Sequence, residues 1–360
     1  MTESLHWQNY DEDDPYPLGE PDRLGVLSST RYVVEQGEYV WINREQVELL
    51  AAQFIASDTS MGVKEEPANA HDSINPTLPA LTWYNRYHFF DGTERTVNWL
   101  LILDALNFCF WAERNQPRWR IEYQGEPLNG YWAEAAALTR AVEEGTPLWD
   151  AEYLSTMSSD ALAHIFRGEA TIPLFEQRLQ NVHEVGRVLL EKFEGQFARA
   201  IEQAQGSAVE LVLVLVENFS SFYDVASYRT REVRFFKRAQ ICVADLFGSF
   251  DGKSWGAFYD LDKLTAFADY KLPQVLRHFG ILEYDPILAE RIDNLELLEP
   301  GEEEEVELRA ATIWACELLR REMTQLGHPI TAAEIDQRLW LLGQNVAGAR
   351  PYHRTRTIYY

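Results

Sequence analysis

Apolar residues recur at helical spacing along most of this chain, and only one stretch alternates clearly. From Asn43, a candidate N-cap, Val47, Leu50, Ala51, Phe54 and Ile55 fall on one helical face. Further helices are expected over 99–111, 131–144, 158–166, 173–205 (with a break near Gly186 or Gly195), 208–216 and 234–248. The series continues over 261–268, 273–279, 286–298, 302–326 and 331–342. Gly280 is a candidate C-cap, and Thr331-Ala-Ala-Glu334 reads as a capping box. Residues 118–123 alternate before Gln124-Gly125-Glu126-Pro127, which predicts one small β-hairpin. The expected fold is therefore mostly α, with a single hairpin.

Two regions fall outside the periodic pattern. Residues 1–25 are acidic and rich in Pro and Gly, so 1–40 is read as an N-terminal arm, partly irregular. Residues 41–360 are read as one large helical domain, or as two lobes, about 41–205 and 206–360. Residues 62–79 hold three prolines and read as a long loop, a length often associated with function. No fixed-period repeat, Gly-rich phosphate loop, HExxH or GxSxG is present.

The segment Phe267-Ala-Asp-Tyr-Lys-Leu-Pro-Gln-Val-Leu276 interrupts the helical series most sharply. Pro273 lacks an N–H and biases Leu272 away from helical φ/ψ, so the segment reads as helix, corner, helix. Asp269 stands at the corner among Phe258, Tyr259, Phe267 and Tyr270. Two roles fit it equally on pattern alone: capping the second helix, or facing a planar ligand that the rings can stack on.

Of the 360 residues, 46% are hydrophobic and 57 acids outweigh 32 basic residues, a net charge of −25. Such a surface repels a nucleic-acid backbone. Cys109, Cys242 and Cys316 are scattered, with no CxxC or CxxH partner, and are expected to be buried small hydrophobes. The four acids Glu302 to Glu305 read as a solvated helix start, where the dipole favours them, and not as a metal site. The first residues lack a basic segment followed by an apolar one, and no stretch reaches membrane-spanning length, so a cytoplasmic location is expected.

Against that acidity, residues 229–238 hold Arg229, Arg231, Arg234, Lys237 and Arg238 with one acid, and a second basic cluster lies in 350–356. Either could hold a phosphate, because Arg and Lys supply charge-assisted donors. Two small patches suit a mononucleotide better than a polymer.

Several longer strings together carry a family likeness. Asn98-Trp99, Leu103-Asp-Ala-Leu-Asn-Phe108, Phe110-Trp111, Gly130-Tyr-Trp132, Phe236-Lys-Arg-Ala-Gln240, Phe267-Ala-Asp-Tyr270, Pro273-Gln-Val-Leu276 and His353-Arg-Thr-Arg-Thr-Ile-Tyr-Tyr360 resemble the queuosine salvage proteins. The likeness runs from about residue 70 to the end. It implies a fold similar to helix-hairpin-helix DNA glycosylases, and release of queuine from queuosine 5′-monophosphate without metal or cofactor. It also implies Asp269 as the catalytic carboxylate, Phe267 stacked on the 7-deazaguanine, Asp336 accepting hydrogen bonds from the base edge, and His71 lining the same pocket. Tyr270 belongs to the same aromatic frame. Charge then assigns the phosphate to Lys237, Arg238, His353 or Arg354. Ser220 and Tyr223 depart from the family pattern, where proline and arginine are expected. The readings to be separated are a nucleotide N-glycosidase, a non-catalytic queuine or nucleotide carrier, and a glycosylase acting on intact nucleic acid.

Overall fold

The structure is a computed structural model and describes residues 16, 18, 21–60, 86–344, 346 and 348–360. His71 and the loop around it lie outside the described residues. Helix α1 (Val26–Gln36) occupies much of the expected arm and leads through β1 (Val40–Ile42) into α2 (Arg44–Ser60). α3 (Glu94–Leu106) is followed by the hairpin β2 (Arg120–Tyr123) and β3 (Glu126–Asn129), then α4 (Gly130–Glu143). Gln124 and Gly125 turn that hairpin at positive φ (51° and 79°), as a tight two-residue connection requires. α5 (Ala151–Ser155), α6 (Ser159–Ile165), α7 (Phe175–Lys192), α8 (Phe197–Gln203) and α9 (Ala208–Asn218) continue the run. The break expected in 173–205 falls at Gly195 (φ 78°). Gly186 stays helical because α7 packs there on α5, where an added Cβ would meet Ser155 N at 2.2 Å.

The second half holds β4 (Val225–Tyr228), β5 (Arg231–Arg234), α10 (Lys237–Ser249), α11 (Lys271–His278), β6 (Leu282–Tyr284), α12 (Pro286–Asp293) and β7 (Leu297–Leu298). α13 (Glu303–Gln325), α14 (Ala332–Gly343) and β8 (Arg354–Thr355) complete it. The molecule is mostly helical, but among the described residues the expected single hairpin is one of four two-stranded pairs. β4 and β5 form a second hairpin through Arg229 and Thr230, both at positive φ (46° and 69°). Non-glycine residues at both turn positions left no turn signal in the sequence.

Among the described residues, three clusters of buried side chains form the interior, two of them large. One draws on α3 to α10, and the other on β1, α2, α11, β6, α12 and α14. α13 serves both: Val306, Ala310 and Ile313 face the first, while Leu308, Ala311 and Ala315 face the second. A helix wedged between two cores is buried all round, so it shows no single apolar stripe. The second cluster takes residues both from before α3 and from Ala266 onwards. Glu305 and Glu307, near the start of α13, are buried and not solvated. Tyr360 Oη donates to Glu305 (2.6 Å), while Glu307 accepts from the N–H groups of Glu38, Tyr39 and Val40. The three cysteines are free and buried, as expected. Among the described residues no helix is long and apolar enough to cross a membrane.

Candidate active site

Residues 261–268, expected to be helical, form one short 3-10 turn (Leu261–Lys263) and then run buried without regular secondary structure. The reason lies in three buried side chains from other elements, which take over the peptide groups a helix would have paired internally. Thr265 N–H donates to Gln240 Oε1 (2.8 Å) from α10, and Phe267 N–H donates to Asp336 Oδ2 (2.6 Å) from α14. Arg309 Nε, from α13, donates to the Ala268 carbonyl (3.2 Å). The chain then enters α11. Asp269 caps it, its Oδ1 accepting from the N–H groups of Lys271 (2.7 Å) and Leu272 (2.9 Å). Pro273 therefore does not expel Leu272 from the helix, because it sits in the first turn, where N–H groups have no helical acceptor. Asp269 Oδ2 takes no hydrogen bond among the described residues.

That carboxylate lines a cavity of about 300 Å³. Phe108, Phe110, Tyr131, Trp132, Tyr270, Trp340 and Tyr352 form its walls, and Lys237 and Asp269 are buried in it. Of its charged lining residues, Arg118, Lys237 and Lys271 are cationic, and Asp269 is acidic. Lys237 sits at the start of α10 with one long contact, from Nζ to the Asn107 carbonyl (3.5 Å). Burial pulls its ammonium pKa down, and the nearby Asp269 charge opposes that shift. Asp336 is held well above the usual carboxylate range, first by burial and then by the Asp269 charge, against the Phe267 N–H and Lys237. The site thus combines a pinned carboxylate, a second buried acid and a buried cation among aromatic rings. Among the described residues, no group of three or more His, Cys, Asp and Glu is placed to hold a metal.

The model of the queuosine salvage proteins matches residues 87–360. The chain belongs to that family. A relative from Sphaerobacter thermophilus is 51% identical over 340 residues, 94% of this chain and 98% of the relative. One from Mus musculus is 35% identical over 95% of this chain and all of the relative. One from Schizosaccharomyces pombe is 30% identical over 91% of this chain and 99% of the relative. All three carry the name queuosine 5′-phosphate N-glycosylase/hydrolase.

The family strings converge in space, though not every residue singled out reaches the cavity. Asp269, Tyr270 and Lys237 line it, while Phe267 and Asp336 lie directly behind, joined by their own hydrogen bond. Arg238 is buried and turned to the main chain, donating to the carbonyls of Asp104 (3.1 Å), Ala105 and Ser221. His353 is buried against Tyr360 Oη (3.3 Å), and burial pushes its pKa down to about 3, so it carries no charge for a phosphate. Arg354 lies outside the lining and stacks over Trp111 at 5.6 Å. Arg229 pairs with Glu38, Arg234 pairs with Glu232 (2.8 Å), and Arg231 lies 3.8 Å over the Tyr32 ring. The basic window is thus mostly structural. At the departures from the family pattern, Ser220 donates from its N–H to Glu184 (2.9 Å), and Tyr223 is exposed. Arg118, Lys271, Trp340 and Tyr352 line the cavity and were not singled out: Lys271 and Tyr352 sit beside Tyr270 and His353 in segments already marked, while Arg118 and Trp340 carry no signal of their own.

Proposed function

We propose that this chain is a hydrolase that cleaves the N-glycosidic bond of queuosine 5′-monophosphate and releases queuine for tRNA modification. One observation carries the chemistry: Asp269 is pinned through Oδ1 at a helix start, with Oδ2 unengaged, in an aromatic cavity. As the C1′–N bond lengthens, positive charge builds on the ribose, and a fixed carboxylate stabilises it without reorganising. Water supplies oxygen to C1′ and one proton to the departing base. The family likeness implies Phe267 against the base and Asp336 at its edge, and both stand directly behind the wall that Asp269 and Tyr270 form, joined through Phe267 N–H and Asp336 Oδ2. Burial and the Asp269 charge raise the Asp336 pKa and so favour its protonated form more than in an ordinary carboxyl, which suits a leaving base that needs a proton. Tyr270 and Tyr352, 4.8 Å between ring centres, add aromatic wall. Lys237 balances the charge at the floor of the site.

The predominance of helices agrees, at the level of fold class, with the glycosylase-like scaffold that the resemblance implies. The net charge of −25 favours a free mononucleotide over intact nucleic acid and suits a cytoplasmic enzyme. Mass spectrometry of the protein incubated with queuosine, its 5′-phosphate and modified tRNA tests the reading. Free queuine is expected from the mononucleotide. An inert wild type that binds the nucleotide would make the chain a carrier, and release from tRNA alone would make it a nucleic-acid glycosylase.

A further inference from the structure

We infer that Arg178 is a positioning residue for the reaction: it holds a strained corner at Cys109 and so sets Phe108 and Phe110 as one wall of the cavity. The inference rests on the proposed function, which supplies the planar base that the wall receives. α3 ends at Leu106, and Asn107, Phe108 and Phe110, just beyond it, all line the cavity. Between the two rings Cys109 is buried with φ 45°. That left-handed conformation is unfavourable for a residue with a side chain, and it lasts only where the surroundings impose it.

Arg178, on α7, imposes it. Its guanidinium donates to the carbonyls of Leu106, Phe108 and Cys109 (3.3 Å to the last), and its Nε donates to the Pro173 carbonyl (2.9 Å). The same group faces both rings, 4.2 Å from the centre of Phe108 and 5.2 Å from that of Phe110. Cys109 N–H is fixed in turn by the Tyr360 carbonyl (2.9 Å). Upstream, Arg238 takes the carbonyls of Asp104 and Ala105, Asn181 shares that of Ala105 (2.8 Å), and Lys237 reaches that of Asn107. Every carbonyl from Asp104 to Cys109 therefore accepts from a side chain of α7 or α10. Cations at a helix C-terminus meet the negative end of its dipole. Packing alone does not call for a guanidinium here, since burying one is costly unless it is met. The acid nearest Arg178, Glu134 (3.2 Å), leaves its Oε2 without a hydrogen bond among the described residues, so the pair is not matched for stability. The fork is directed instead at the main chain of a corner that shares its cavity with Asp269. A wall displaced by about 1 Å can cost on the order of 100-fold in rate when it moves the reacting bond off its carboxylate.

The test introduces Arg178→Lys into wild type and into Cys109→Gly, and measures kcat and KM for queuosine 5′-monophosphate per folded molecule, well below the melting temperature of each protein. In the wild-type background kcat is expected to fall on the order of 10- to 100-fold. Glycine adopts φ 45° without steric cost, so in the Cys109→Gly background the loss is expected to be at least about 5-fold smaller. A lower melting temperature with kcat unchanged makes Arg178 structural only and overturns the proposal. So does an equal loss in both backgrounds. If Arg178→Lys does not fold, Cys109→Val decides: a β-branched residue resists positive φ, and its kcat is expected to be about 10-fold below that of Cys109→Gly. Equal values overturn the corner and leave the proposed function intact. A further arm needs no turnover: queuine, titrated by calorimetry, is expected to bind Arg178→Lys about 10-fold more weakly than wild type. If wild type binds queuine but cleaves no nucleotide, the proposed function fails and this arm decides the corner, with equal affinities overturning it. A wild type that neither cleaves the nucleotide nor binds queuine overturns both.

Discussion

Arg309 and Lys237 are buried cations on either side of the loop that carries Asp269, and their surroundings differ sharply. Arg309 forms a fork–fork pair with Asp224 (2.9 and 2.6 Å), donates its Nε to Ala268, and is sandwiched by Phe235 (3.8 Å) and Tyr360 (4.4 Å). Asp224 in turn accepts from the Lys237 N–H (3.2 Å), so this joint ties the Asp269 loop to the start of α10. Lys237 itself has one long contact to a carbonyl. At the joint each donor is met, and the result is rigidity. At the cavity floor a cation is buried and left short of partners, an arrangement that disfavours the empty state and suits a ligand.

Arg309→Ala tests the rigid side hardest. It leaves Asp224 buried without its partner, and urea unfolding is expected to show a loss of about 3–5 kcal/mol. A loss below about 1 kcal/mol would mean that the joint is not what holds the loop. Asp269→Asn tests the floor. The amide oxygen still accepts from Lys271 and Leu272, so the melting temperature should hold, while base release falls about 100- to 1,000-fold. Nucleotide binding by calorimetry is expected to survive.

Lys237→Met is expected to move activity and stability in opposite directions. Base release should drop roughly 10- to 100-fold, while stability is unchanged or higher because an under-partnered buried charge is gone. If both fall together, Lys237 belongs with Arg309 as a structural cation.

The smallest effect concerns Asp104 on α3, fully buried with only the weakly polar Cys242 thiol against it. Burial, and then the nearby Asp245, hold its carboxyl well above the ordinary range, against Lys237. Burial likewise raises Asp245. The folded chain then binds more protons than the unfolded one, so this contribution to stability is present below the ordinary carboxylate pKa and is lost as pH rises above it. The slope is at most about 1.4 kcal/mol per pH unit for one proton. Denaturation of Asp104→Asn from pH 5 to 9 should give a flatter profile than wild type, and parallel profiles would remove Asp104 from the account.

Local signals in the sequence were reliable where the structure uses local physics. The Thr331–Glu334 capping box is present in both directions, and β2–β3 forms where alternation and Gln124-Gly125 placed it. The capping role posed for Asp269 uses one oxygen only: Oδ1 accepts from Lys271 and Leu272, and Oδ2 is unengaged. That 261–268 would not be helical was illegible in the sequence, because its hydrogen-bond partners Gln240, Arg309 and Asp336 come from three distant helices. Glu305 looked solvated for the same kind of reason, since its partner Tyr360 lies 55 residues away.

By itself, then, the chain's pattern determined a mostly helical, acidic protein, the existence of most helices, and a carboxylate at the head of α11. Those features depend on residues a few positions apart, through side-chain periodicity, capping and turn chemistry. Tertiary structure decided which cations are structural and which face the cavity. Arg238 and Lys237 are adjacent in sequence, yet one meets three main-chain carbonyls and the other stands beside Asp269. Charge composition is a sum over residues, whereas a binding site depends on where each charge is left without its partner, and that follows only from packing.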